Sequence, residues 1–362
     1  RLAFGVESRR GAWEKVRHQP RLAGEVEFVH AALIEMTAQL EPHAARAKGL
    51  ENCWRRSREL AGLLEHLTGE TPEGYVQWFE TTRRSFALHL TPLDVAEPFR
   101  AFIEAGERAW IFTSATLAVG QQFEHFTQRL GLEMYTTGRW ESPFDYAQQG
   151  LLYLPKDLPE PNAPGYTAAV VQIALPVLEA SRGRAFILFT SHRALRQAEE
   201  LLRDRIAYPL LVQGSASKAE LLDRFREAGD AVLLGTNSFW EGVDVRGPAL
   251  SCVIIDKLPF ASPGDPVLEA RIRTLREAGR NPFVEHQLPQ AVLGLKQGVG
   301  RLIRDEEDNG VLVLCDPRLS TKSYGRVFRQ SLPPMPATQD VAAVEAFFAH
   351  LRQKHDRAQQ AV

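Results

Sequence analysis

Cysteine is scarce: Cys53, Cys252 and Cys315 are the three in 362 residues, too scattered for a zinc or iron–sulfur ligand spacing. That excludes a disulfide scaffold, fits a reducing, cytoplasmic compartment, and leaves core packing or incidental roles for the thiols. Net charge is nearly absent as well, with 43 Lys and Arg against 45 Asp and Glu. Any surface for nucleic acid must therefore be a local groove. No apolar run approaches the length of a membrane span. The opening, RLAFGVESRR, has neither an initiator Met nor the apolar stretch of a signal peptide, so the chain reads as an excised piece of something longer. What is present, 44% hydrophobic and 24% charged residues, describes a globular chain long enough for two or three domains with a sizeable core.

Ala23 to Thr68 is almost free of proline and glycine and places Val26, Val29, Leu33, Met36 and Leu40, then Leu60, Leu63, Leu64 and Leu67, at helical spacing. Glu41 to Gly49 breaks the run into a helical pair. Its basic residues, Arg46, Lys48, Arg55, Arg56 and Arg58, serve either as a solvated face or as a lining for a nucleic-acid strand. Beyond Pro72, Tyr75 to Phe79 and Ser85 to Leu90 alternate like strands, Val95 to Ala105 reads as a helix, and Ala109 to Thr113 as a short buried strand running into S-A-T-L. From Gly150 onward strands of four to six apolar residues alternate with helices of ten to fifteen, which predicts an α/β fold: a mostly parallel sheet with helices on both faces. Ligands then belong at the carboxyl ends of the strands, which read FTSHRAL, VQGSAS, LGTNSFWEGVDV and DKLPFASPGDP.

Those ends hold the residue types that phosphate and base recognition use. Ser114 and Thr116, around Ala115, offer hydroxyls that serve either a ligand or a capped turn, and Thr190, Ser191 and Thr236 leave their strands as small polar residues. In Thr236 to Val245 a glycine, Gly242, permits close backbone approach. Glu241 or Asp244 can orient a water, a ribose hydroxyl or an arginine, while Phe239 and Trp240 provide either flat faces for bases or core packing.

The stretch AVLGLKQGVGRLIR, Ala291 to Arg304, organises the rest. Read as one helix, it puts Gln297, Arg301 and Arg304 at i, i+4 and i+7 on one face, with Leu295, Val299, Leu302 and Ile303 packed behind. Gly300 beside that face leaves room for a backbone or a phosphate, and guanidinium is well suited to charge on a transferring phosphoryl group.

In this order TSATL, FTSHRAL, TNSFWEGVDV and QGVGRLIR resemble motifs III, IV, V and VI of superfamily 2 helicases, and W-E-G-V-D followed by DKLPF resembles the XPD/DinG family, most closely its bacterial members. The resemblance runs from about Tyr75 to the end, and the helical pair before it would match the arch domain of that family. It implies a RecA-like sheet and three parts: 1–72 as part of the arch, 73–138 as the end of the first motor domain, and 139–362 as a complete second one. It further implies a monomeric, ATP- and magnesium-dependent helicase moving 5′ to 3′ on single-stranded or forked DNA. Arg301 and Arg304 would be arginine fingers with Gln297 and Gly300 alongside, and Glu241, Gly242 and Asp244 would link nucleotide to DNA. Ser114, Ala115 and Thr116 would couple hydrolysis to closure, and Thr190, Ser191, His192, Thr236 and Trp240 would contact DNA. A candidate partner implied by the same resemblance is the chi subunit of the DNA polymerase III clamp loader. It would dock on Gln339 to Gln353, whose Val341, Val344, Phe347, Phe348 and Leu351 form a stripe that otherwise covers the domain's own sheet.

The departures are equally specific. There is no G-x-x-x-x-G-K-[ST] and no D-E-A-H; the DEED at Asp305 to Asp308 has the wrong order. The four-cysteine iron–sulfur cluster of the family is absent too. All three would lie upstream of Arg1, so the chain by itself is expected to be inactive. A binding module without catalysis is the rival reading, opposed by two arginines and a glutamine in one motif, whereas a hydrolase built on His192 or His286 lacks a nucleophile in a strained elbow.

Overall fold

The computed structural model describes residues 9–82, 85–114, 116–120, 122–236, 239, 245 and 247–360, apart from the side chains of 355 and 358–360. The chain packs as two compact units. One comprises Arg1–Trp110, Thr127–Met134 and Ala261–Glu285, the other Ile111–Phe126, Tyr135–Phe260 and His286–Val362.

In the first unit, β1 (Arg9–Ala12) precedes two long helices, α1 (Pro20–Leu40) and α2 (Lys48–Thr68). Pro20 stands in the first turn of α1, where its missing N–H costs nothing, and the pair is broken by a tight helical turn, Glu41–Arg46, ending in extended Ala47. The hydroxyls of Thr37 and Ser57 meet at 2.9 Å between the helices. Arg46, Lys48, Arg55, Arg56 and Arg58 are exposed. β2 (Tyr75–Thr81) and β3 (Phe86–Pro92) complete an antiparallel sheet in the order β1-β2-β3. Because side chains alternate across a strand, Phe79 packs with Trp13 and Leu22, while Val76 and Trp78 face the opposite way onto Ala270. α3 (Ala96–Glu104) follows. Two basic residues near the start, Arg10 and Lys15, are paired within this unit. Arg10 pairs with Asp265 at 2.9 Å and lies 4.2 Å from the Trp78 ring centroid, and Lys15 reaches Glu269 at 3.2 Å.

The predicted strand at Ala109 to Thr113 does not form. No strand among the described residues runs alongside to complete its hydrogen bonds, and Ile111 is 84% exposed. An apolar run without a ladder partner gains nothing from the extended form.

The second unit holds a parallel sheet: β4 (Gly150–Tyr153), β5 (Ala185–Leu188), β6 (Leu210–Val212), β7 (Val232–Gly235), β8 (Cys252–Ile255), β9 (Gly310–Leu314) and β10 (Ala337–Thr338). Their order is β10-β4-β9-β8-β5-β7-β6, seven strands among the described residues. The strands β4, β5, β7, β8 and β9 are buried throughout and nearly continuously apolar, as a sheet covered on both faces requires. Ala185, Ile187 and Phe189 face a core shared with α4 (Tyr166–Ser181) and α5 (His192–Leu202), whereas Phe186 turns the other way onto Phe225 of α6 (Lys218–Ala228), ring centroids 4.7 Å apart. α7 (Pro266–Glu277), in the first unit, starts on Pro266 with Asp265 accepting the Val267 and Leu268 N–H groups. α8 (Leu288–Val299) and α9 (Val341–Gln360) return to the second.

α9 decides one of the open alternatives. Val344 and Phe348 are buried in the main core, Val341, Phe347 and Leu351 pack against it, and Arg352 donates to the Ala180 carbonyl at 2.8 Å. The apolar stripe covers its own sheet, and Phe348 is buried within this chain's core.

Candidate functional site

The chain leaves β5 toward one side of the sheet and β8 toward the other, so the carboxyl ends of this adjacent pair form a topological switch point, where ligands of such sheets bind. Thr190 and Asp256 stand there. The buried Asp256 carboxylate accepts through Oδ1 from the Thr190 N–H at 3.1 Å and from the Lys257 N–H at 2.8 Å. Its Oδ2, like Thr190 Oγ1, is buried with no hydrogen-bond partner among the described residues. Burial, chiefly, raises its pKa to about 7, against the Lys257 charge and the two N–H bonds. The Tyr166 hydroxyl lies 2.6 Å from the Asp256 carbonyl and 2.8 Å from that of Cys315, joining the ends of β8 and β9. Asp316, just past β9, is held by Arg318 and accepts the Leu258 N–H at 2.7 Å, which fixes the DKLPF loop. Ser191 caps α5, accepting the Ala194 N–H at 3.2 Å, and His192 is exposed on its first turn. Thus Thr190, Ser191 and His192 ring the amino end of a helix, where backbone N–H groups favour an anion.

At the end of β7, Thr236 is buried. Its N–H and hydroxyl both donate to Gln213 Oε1, at 2.6 and 3.0 Å. Phe239 belongs to the core at 1% exposure, with the Lys218 ammonium 5.5 Å from its ring centroid. It is therefore no platform for a base, because Gly235 leaves the space that its ring fills. Trp240, Glu241, Gly242, Asp244 and, in the S-A-T stretch, Ala115 lie outside the described residues. Ser114 and Thr116 are described, their hydroxyls 3.1 Å apart.

The expected single helix through Arg304 is corrected. α8 stops at Val299; Gly300 donates to the Lys296 carbonyl, and Arg301 and Leu302 then close tighter bonds to Gly298 and Val299 at 3.3 and 3.1 Å. Gly298 and Gly300, each unfavourable in a helix by about 1 kcal/mol relative to Ala, make the last turn easy to unwind. Gln297 stays on the helix, half-buried. Arg301 and Arg304 leave from the turn beyond it, while Leu295, Val299, Leu302 and Ile303 are buried behind as expected. Gly300 is exposed at the bend.

Asp308, a member of the DEED sequence, holds this turn. Its Oδ2 accepts the Arg304 N–H at 2.9 Å and its Oδ1 the Gly247 N–H at 3.1 Å, so one buried carboxylate ties the arginine turn to the loop before β8. Gln149 Nε2 faces the carbonyls of Asp305, Glu306 and Asp308 within 3.0 Å. Both residues are tertiary devices without a sequence pattern of their own.

Among the described residues no three His, Cys, Asp or Glu side chains come together to hold a metal ion. Cys252 and Cys315 are core thiols whose pKa is pushed up by burial, and Cys53 is exposed on α2, so an iron–sulfur cluster does not fit this chain. No helix is long and apolar enough to cross a membrane among those residues.

A parallel sheet of this order, with polar loops at its carboxyl edge and an arginine turn leading into β9, is a RecA-like helicase motor domain. A family model described as "Helicase C-terminal domain" matches residues 174–335. The chain is 48% identical over 304 residues to the ATP-dependent DNA helicase YoaA of Escherichia coli (strain K12), covering 84% of this chain and 48% of that protein. It is 44% identical over 348 residues to the YoaA of Haemophilus influenzae, covering 96% and 54%. A solved XPD helicase structure aligns with a TM-score of 0.55 at 14% identity, over 92% of this chain and 66% of that one, a likeness of fold. The chain belongs to the XPD/DinG family of superfamily 2 helicases. It spans about half the length of these YoaA relatives.

Proposed function

We propose that this chain is the C-terminal half of the motor of an ATP-dependent DNA helicase, working 5′ to 3′ on single-stranded or forked DNA as a monomer. The helical pair would belong to the arch, 73–138 to the first motor domain and 139–362 to the second. The observation that carries the reading is the turn past α8: Arg301 and Arg304 leave one short bend that Asp308 fixes through the Arg304 backbone. Fixed guanidiniums are what a phosphoryl transfer needs from its far wall, since they meet developing charge without reorganising. Magnesium-bound ATP, when present, supplies the phosphoanhydride whose cleavage drives the cycle. Gln297 would orient beside the arginines, and Glu241, Gly242 and Asp244 would line the same cleft. Thr190, Ser191 and the first turn of α5 would take DNA phosphates, with Thr236 and Trp240 farther along the strand. A contact with the chi subunit through α9 would fall on its exposed side, Glu345, Ala346 and His350, since the apolar side is occupied.

The test is ATP turnover stimulated by single-stranded DNA in the complete gene product. Arg301→Ala or Arg304→Ala should lower it by on the order of a thousandfold, with DNA binding in the absence of nucleotide nearly unchanged. Loss of less than tenfold in both variants would remove the arginines from the phosphate wall.

A further inference from the structure

α8 carries Gln297 and also grips the segment that carries Ser114 and Thr116. Lys296 Nζ donates to the Ala118 carbonyl at 3.0 Å, two residues past Thr116. Gln290 Nε2 lies 2.9 Å from His125 Nε2, near the other end of the same segment. Gln290 and Gln297 are two turns apart and share a face of α8, with Lys296 flanking it. The gripped chain is itself braced. Val119 and Gln122 exchange N–H···O bonds at 3.0 and 3.2 Å, and Phe112 packs edge-on against Phe126 with ring centroids 5.5 Å apart.

The chemistry of the anchors goes beyond space-filling. Burial, then the nearby charge of Arg139, push the Lys296 ammonium below its usual range, a cost that an apolar side chain of similar length would not carry. What the ammonium contributes is a charge-assisted bond to a main-chain carbonyl, which is directional and fixes the position of residue 118 relative to the helix. Two such anchors suppress both sliding and pivoting of the segment. One alone would leave a hinge.

We propose that Lys296 and Gln290 are positioning residues that couple the two halves of the helicase cycle. Through Ala118 and His125 they fasten the Ser114–Thr116 segment to the helix whose end bears Arg301 and Arg304, so a displacement of that turn moves the segment as one body. The proposal rests on the helicase reading above and adds residues outside its motifs.

The experiment has two arms. In this chain, hydrogen exchange of residues 111–126 is compared between the parent, Lys296→Met and Gln290→Leu. Exchange should rise about tenfold or more in the variants with unchanged melting temperature, and unchanged exchange overturns the latch. In the complete gene product, ATP turnover and base pairs unwound per ATP are measured together. The variants should keep turnover within about threefold while unwinding per ATP falls by about tenfold, and Lys296→Arg should restore most of it. Equal unwinding per ATP in parent and variants, or parallel loss of turnover, unwinding and melting temperature, overturns coupling through these residues. A parent that neither hydrolyses ATP nor unwinds DNA would sink the helicase reading instead, and the exchange arm would still decide whether the latch exists.

Discussion

Asp256 uses one carboxylate oxygen for two backbone N–H groups and buries the other without a partner, an arrangement with a pH signature. Its pKa is raised to about 7 in the fold, mainly by burial. A raised acid leaves the native state at full relative stability below the unfolded pKa, near 4, and costs stability as pH climbs to about 7. Asp256→Asn should therefore gain on the parent between pH 4 and 7, by on the order of 2–4 kcal/mol, and the gap should then stay level. Denaturant midpoints at pH 5 and pH 8 check this; an equal gap at both would mean that the carboxyl is ionised throughout. Asp308 works oppositely, accepting two backbone N–H groups with both oxygens. Asp308→Ala strands both donors and should cost about 2 kcal/mol or more, read from a melting curve. In the complete gene product it should also lower ATP turnover through Arg304, whereas turnover unchanged in a folded variant would detach the turn from catalysis.

Among the elements, α9 and the end of α8 show how far pattern reading reaches. The helical stripe of Val341, Val344, Phe347, Phe348 and Leu351 was legible, and so was the fact that it must be covered by something. Whether by a partner or by the chain's own sheet was not, because periodicity records a face and not what lies against it. With Phe348 at 2% exposure, Phe348→Ala should lose about 3–5 kcal/mol, while Glu345→Ala and His350→Ala on the outer side should change stability by less than about 0.5 kcal/mol. Thermal melts of the three variants decide; a mild Phe348→Ala would reopen the helix as a docking surface. In α8 the spacing of Gln297, Arg301 and Arg304 predicts one helical face, and the structure instead ends the helix at Val299, before either arginine. Two glycines so close to a helix end weaken the last turn, and packing of Leu302 and Ile303 then sets where the chain goes.

At the scale of the whole molecule, the proposed role makes ATP turnover depend on residues that this chain does not hold. This chain of 362 residues contains no phosphate-cradling P-loop and no D-E-A-H, so it should show no ATP turnover above a buffer blank, with or without single-stranded DNA. Turnover in a pure preparation that is lost in Arg301→Ala would contradict the half-site reading outright.

The sequence by itself determined the repeating α/β plan, nearly every strand of the parallel sheet, and the chemistry of its carboxyl edge, because continuous apolar runs and strand-to-loop changes are local signals. It overreached at Ala109 to Thr113, where an apolar run has no neighbouring strand among the described residues, and it left Phe239 open between base stacking and core packing, a choice that the space beside Gly235 settles for the core. Only the tertiary structure decided that Asp308 and Gln149 pin the arginine turn, that Lys296 and Gln290 reach Ala118 and His125, and that α9 closes the core. Each of those contacts joins residues that no spacing rule relates, and their energies come from burying polar groups against particular backbone atoms that the folded chain alone brings together.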